Sequence, residues 1–279
     1  MPHEQTDTEH PEMGEFRIKH FNDQEILDTV CVEGVCSALK GPGTAVEQFA
    51  LPAEAVGLVL VHARSTHGHG PRDMEADPTT AAARQASEIF KEHLVQHLAR
   101  RPQYGNDYDA LLASYQAIEP ALLPRGDNLA ISVACLLVRQ EGVAFSNLGD
   151  TRVYMVNPKT GTARSLTLDT PATAHRREYD KAQAFRDQDG ARILVDGPRN
   201  PRSGFVGNSN FPPAIEVSNR GFLGLNEAWL VVTTREINSC LTALDLAQLS
   251  GALNQPVLFQ RDVLNRVQKG AVAVIALGH

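Results

Sequence analysis

Apolar and polar positions along this chain mark out most of its elements. Val30 to Leu39 (VCVEGVCSAL) is apolar and rich in β-formers, and AVEQFAL, residues 45 to 51, reads as a second strand. VGLVLVHA, residues 56 to 63, is a continuous apolar run of strand length, suited to burial on both faces. HGHGPRDMEADP follows as a loop. Pro78 then opens a helical pattern to about Arg101 with Ile89, Leu94 and Leu98 on its apolar face, and a second helix runs from about Asp107 to Glu119. The middle of the chain is strand-rich: LAISVACLLV (129–138), GVAFSNL (142–148), TRVYMV (151–156) and ARSLTL (163–168). The short connections between them, QE, GD and NPKTG, predict antiparallel hairpins rather than crossovers. Residues 170–212 are charged, rich in Gly, Pro and Arg and without a clear period, so they read as a long surface excursion. AIEV (214–217) and AWLVVTT (228–234) are strands, Leu241 to Leu253 and Phe259 to Gln268 helices, and AVAVIAL (271–277) a closing buried strand. Strands, two helices, a meander, then helices and a last strand make an α+β chain. Two apolar sheet faces need covering, which predicts a four-layer α/β/β/α sandwich of two mostly antiparallel sheets flanked by helices.

The totals narrow the function classes. A chain of 279 residues can bury a sizeable core, and 42% hydrophobic residues is ordinary for a globular protein. The net charge of −7 and the absence of a Lys/Arg run argue against a nucleic-acid partner. No apolar run reaches the roughly 18 residues of a membrane span. MPHEQTDTEHPEMG has no apolar segment of the secretory kind, so residues 1–14 read as a disordered tail and 15–279 as a single domain in the cytoplasm. Cys31, Cys36, Cys135 and Cys240 form no C-x-x-C pair and read as reduced thiols.

The order of the motifs carries a resemblance. NLGDTRVYMV, residues 147–156, resembles the Asn-x-Gly-Asp-Ser-Arg-x-Tyr segment of the metal-dependent protein phosphatase 2C (PPM-type) serine/threonine phosphatases. SLTLDT (165–170) resembles the Leu-Thr-x-Asp-His that follows it there, and GDNLAISVACLLV the Gly-Ser/Asn-Thr-Ala strand before it. AWLVVTTREI sits where that family has Ser-Asp-Gly, QKGAVAVIAL where it has Asp-Asn-x-Thr, VEQFAL where it has Asn-Glu-Asp, and LVLVHARSTHGHG where it has Val-x-Asp-Gly-x-Gly-Gly. The match covers roughly residues 28–278. It implies the same sandwich, with a pocket at one end of the sheets. In the family, carboxylates there hold two Mg²⁺ or Mn²⁺ ions whose bridging hydroxide attacks phosphorus.

The ligand positions depart from that pattern. Asn-Glu-Asp falls on Val46-Glu47-Gln48. Asp-Gly falls on Ala63-Arg64, or on His62-Ala63 one residue earlier. Ser-Asp-Gly becomes Thr233-Thr234-Arg235, Asp-Asn becomes Lys269-Gly270, and the phosphate-binding arginine falls near Gly43. Only Asp150 and Glu47 keep a carboxylate. Hard divalent ions need oxygen ligands, and a cationic side chain repels them. The resemblance with these losses implies a pseudophosphatase: a regulatory or scaffold module, of bacterial type, without a cofactor. Its degenerate pocket comprises Glu47, Gln48, His62, Ala63, Arg64, Asp150, Thr234, Arg235 and Lys269. Asp150 is expected to cap a turn or pair with Lys269, Arg235 or Arg152, with the Lys269 ammonium near Asp150 or Glu47.

The alternative is a divergent metal-dependent phosphatase, with Mg²⁺ or Mn²⁺, or a rebuilt site. His62, His67 and His69 lie among glycines in HARSTHGHG, and imidazoles suit zinc. Were a metal held, Asp150, His67 and His69 are the candidates. A polar loop of exposed histidines explains the same residues, and a solvated pair explains His93 and His97. No Ser-His-Asp arrangement or nucleotide loop stands out. RREYDKAQAFRDQDGAR (176–192) alternates in charge, and its place matches the family's variable flap. That makes 170–212 the candidate surface for a protein partner, a phosphoprotein among the options.

Overall fold

The structure is a computed structural model, and it describes residues 31–51, 55–65, 78–100, 107–122, 129–139, 142–167, 214–219 and 228–278. The chain opens with three strands, β1 (Cys31–Lys40), β2 (Thr44–Leu51) and β3 (Ala55–Ser65). Two helices follow, α1 (Pro78–Arg100) and α2 (Asp107–Leu122). Next come β4 (Leu129–Val138), β5 (Gly142–Leu148), β6 (Arg152–Asn157), β7 (Thr162–Ser165), β8 (Ala214–Asn219) and β9 (Trp229–Thr233). Three helices, α3 (Arg235–Cys240), α4 (Ala243–Leu253) and α5 (Pro256–Asn265), precede the last strand, β10 (Gly270–Gly278).

The strands form two five-stranded sheets, ordered β1-β10-β9-β6-β7 and β2-β3-β4-β5-β8, and every pairing is antiparallel. Three apolar clusters set the layers. α1 and α2 lay Ala82, Ala86, Phe90, Leu94, Leu98 and Leu111 on the outer face of the second sheet, against Val59, Val61, Val133 and Cys135. Leu58, Leu60, Leu136 and Phe145 of that sheet meet Val153, Leu230, Val232, Ala273 and Ile275 of the first. Phe259, Val263 and Leu246 cover the first sheet's outer face at Tyr154, Val231 and Val274. This is the α/β/β/α sandwich the pattern implies. The alternation within β3 decides which residues face which layer. Val59, Val61 and Ala63 point toward the helices, and Leu58 and Leu60 toward the other sheet.

Two expectations change. The GD connection is not a hairpin: β5 belongs to one sheet and β6 to the other. Gly149 takes φ +93° in this crossing, a conformation nearly free of strain only for glycine. The four-residue segment 149–152 thus carries the chain between layers, whereas NPKTG does close the β6–β7 hairpin. The stretch after β9 also turns helical earlier than expected. It forms the short α3, then restarts as α4 behind a capping box, in which Thr242 Oγ1 accepts from the Asp245 amide and the Asp245 carboxylate accepts from the Thr242 amide. Among the described residues no helix is long and apolar enough to cross a membrane. Residues 170–212 and the tail lie outside the described residues.

Candidate functional site

At one end of the sandwich, polar side chains replace the apolar filling. In the second sheet Thr44 of β2 pairs with His62 of β3, and His62 pairs with Ser132 of β4. Residues directly opposite share a face, and His62 follows the parity of Leu58 and Leu60. The row Thr44–His62–Ser132 therefore faces the other sheet, with Arg64 two residues further along. Thr44 is 7% exposed, His62 5% and Ser132 1%.

The β5–β6 crossing brings Asp150 onto this row, only 2% exposed. Ser132 Oγ donates to Asp150 Oδ1 at 2.8 Å. Asn238 of α3 donates through Nδ2 to the Asp150 carbonyl at 2.9 Å, and its own Oδ1 accepts from the Tyr154 hydroxyl at 3.2 Å. Asn147 Nδ2 donates to the Thr151 carbonyl at 3.1 Å, which closes the turn from inside. Two guanidiniums approach the other carboxylate oxygen. Arg64 lies 3.6 Å and Arg235 3.7 Å from Asp150 Oδ2. Neither is at hydrogen-bonding distance. Beside them His62 Nε2 lies 3.5 Å from Glu236 Oε1. Burial raises the Asp150 carboxyl above its ordinary range; His62 and the Ser132 bond pull it down, and Glu236 pushes it up again.

The sequence-derived pocket is thus assembled in part. His62, Arg64, Asp150 and Arg235 converge. Thr234 is buried beside them with a structural task, its Oγ1 accepting from the Ala271 amide at 3.1 Å. Ala63 turns away into the helix-facing core, its amide donating to the Gly43 carbonyl at 2.7 Å. Glu47 and Gln48 do not join. Glu47 pairs with Val59, so it shares the face that packs on α1, and its carboxylate meets Lys91 there at 3.0 Å. Gln48 alternates with it and is exposed. The strand end that borders the site is Gly43–Thr44, three pairs away from Glu47.

The expectation for Lys269 is corrected. Among the described residues the partners of Asp150 are Arg64 and Arg235, and that of Glu47 is Lys91. Lys269 pairs with neither. It is exposed beside the Gly41 turn, because β10 begins one residue later at Gly270, pressed against Thr234. Arg152 donates instead to the Tyr154 hydroxyl at 3.2 Å. His67 and His69 lie outside the described residues. Sequence reasoning did not single out Thr44, Glu236 or Asn238, and it read Ser132 as a residue of the strand interior. A carboxylate directly after Arg235 was a usable signal for Glu236. Ser132 becomes visible only through its register with His62.

No family profile matches this chain, and no curated protein does. Solved structures do. The serine/threonine phosphatase of S. agalactiae aligns with a TM-score of 0.61 at 15% identity, over 88% of this chain and 98% of that one. Stp1 of Staphylococcus aureus aligns at 0.62 and 12% identity, over 89% and 96%. PstP/Ppp of Mycobacterium tuberculosis aligns at 0.56 and 14% identity, over 90% and 100%. The chain has the PPM-type phosphatase fold. At these identities the likeness speaks for the fold alone.

That PPM-type fold implies divalent metal, and the donor set here does not suit one. Asp150 Oδ1 is engaged by Ser132, and Oδ2 lies within 4 Å of two guanidiniums. Among the described residues no three His, Cys, Asp or Glu side chains converge in a metal-holding group. No chemical step is derived through a metal.

Proposed function

We propose that this chain is a phosphatase-like protein without phosphatase chemistry, a cytoplasmic regulatory or scaffold module that holds a protein partner. One observation carries the reading. The carboxylate at the mouth of the sandwich is met by Arg64 and Arg235, fixed positive charges where a divalent ion would need anionic oxygen. A guanidinium stays protonated throughout the working pH range, so its charge is permanent. Fold and pocket support opposite halves of the conclusion: the scaffold is kept and the ligand set is not. The test is hydrolysis of a small phosphomonoester and of a phosphoserine peptide by the purified chain in Mn²⁺ or Mg²⁺. The expected rate equals that of an Asp150→Ala control. Metal-dependent turnover that disappears in that control would falsify the reading.

A further inference from the structure

Four side chains at the site leave polar capacity that the fold does not use. His62 Nδ1, Thr44 Oγ1 and Glu236 Oε2 are buried and have no hydrogen-bond partner. Thr44 and His62 are cross-strand neighbours on one face, and the Glu236 carboxylate reaches His62 through its other oxygen. Arg235, adjacent to Glu236, offers the fourth. Its guanidinium carries five N–H donors, it touches Asp150 only at 3.7 Å, and its side chain is 35% exposed. Arg64 adds a second positive charge on the same side.

Donors and acceptors are therefore both present, and that mixture is selective. A guanidinium and a hydroxyl suit an oxyanion. An unpartnered carboxylate oxygen repels an oxyanion unless the ligand brings its own proton to it. With Nε2 turned to Glu236, His62 Nδ1 presents a lone pair in the neutral ring, which favours the same kind of ligand. Sulfate at neutral pH has no proton to give. A phosphate group, whose second ionisation lies near pH 6, still carries one in a large share of molecules.

We propose that this end of the sandwich is a metal-independent site for a protonated phosphate group, with Arg235 and Thr44 donating to its oxygens, Arg64 balancing its charge and Glu236 Oε2 accepting its P–OH hydrogen. This deepens the binding-module reading above and rests on it in that no metal takes part. The group could arrive as free phosphate or as a phosphomonoester on a partner, and the chemistry at the site is shared.

The test is calorimetric titration of the full chain in EDTA with inorganic phosphate, sulfate and O-phosphoserine. Phosphate is expected to bind, with sulfate weaker by roughly tenfold or more, the factor set by one unmade buried hydrogen bond to a charged group. Arg235→Ala should weaken phosphate by a similar factor. Glu236→Gln, close in shape to the native residue, should bring sulfate up to the level of phosphate, because the carboxamide donates where the carboxylate could only accept. Tighter phosphoserine than phosphate assigns the source to a phosphorylated partner, and the reverse order assigns it to the free ion. Equal affinity for sulfate and phosphate in the native chain, unchanged sulfate binding in Glu236→Gln, or no phosphate binding at all overturns the proposal. Each of these leaves the absence of hydrolysis untouched, whereas Mn²⁺-dependent turnover would remove the reading beneath it. Should Arg235→Ala fail to fold, the Glu236→Gln arm decides alone.

Discussion

Two buried aspartates in this molecule face arginines, and they are built differently. Asp107, at the start of α2, is held by Arg139 at the end of β4 in a two-pronged fork: Nε to both carboxylate oxygens at 3.2 and 3.0 Å, and a terminal nitrogen at 2.8 Å. Both side chains are almost wholly enclosed, 0% and 3% exposed. Asp150 has two arginines and a direct hydrogen bond from neither. The first pair is closed on itself and ties a helix start to a strand end. The second is open, since its arginines retain donors and reach solvent. An enclosed, fully satisfied pair is architecture, whereas a buried charge with loosely placed counter-charges is a place where something else can be accommodated.

The contrast can be broken at several points. Arg139→Ala should have the largest effect, about 3–5 kcal/mol of lost stability in urea unfolding, because it strands the Asp107 carboxylate in a dry interior. A loss below about 1 kcal/mol would show the fork to be dispensable. Asp150→Ala should cost less, about 1–3 kcal/mol, by leaving the Ser132 hydroxyl without its acceptor. A third change sharpens the comparison through pH. Burial raises the Asp150 carboxyl in the fold, so the native state holds its proton more tightly than the unfolded chain does. The contribution of Asp150 is then most favourable at low pH. It is lost as pH climbs through the ordinary carboxylate range toward the raised value. Relative to Asp150→Asn, the native chain should lose stability with rising pH across that window, and the opposite slope would mean the arginines dominate burial. The smallest effect belongs to Lys91→Ala. Its pair with Glu47 is a third exposed on each side, so solvent screens it and no more than about 1 kcal/mol should go. Phosphate binding should not change in that variant, since Glu47 faces α1.

The legible and illegible parts of the sequence divide along a physical line. VGLVLVHA and LAISVACLLV announce strands buried on both faces because no polar residue interrupts them, and they occupy the middle of one sheet. The helix at Pro78 is legible from its small and apolar spacing, and Leu94 and Leu98 are fully buried as expected. Gly149-Asp150 misleads because a two-residue turn looks the same whether the next strand pairs with the last one or crosses to another sheet. That choice is made by the distant β9 and β8, which claim β6 and β5. Glu47 misleads through register. Placing the first motif on residues 46–48 moves it three pairs inward from the Thr44–His62 edge and onto the opposite face. Lys269 misleads because proximity along the motif order does not fix direction: Gly270 carries the chain into β10 and leaves Lys269 outside. Asp150, His62, Arg64 and Arg235 were legible because each sits at the end of a strongly apolar strand, where a sandwich opens. Glu236 and Asn238 were not, because a six-residue helix is too short to show a period.

The central claim is that fixed arginine charge has taken the place of metal in a retained phosphatase fold. Its most direct test is the unfolding free energy of the chain with and without saturating Mn²⁺ or Mg²⁺. A native-state site filled at about 100 times its Kd would add roughly 2.7 kcal/mol. The account predicts no change for the native chain with either ion. A stabilisation of that size would contradict it, and would mean that carboxylates assemble around a metal despite the two guanidiniums at Asp150.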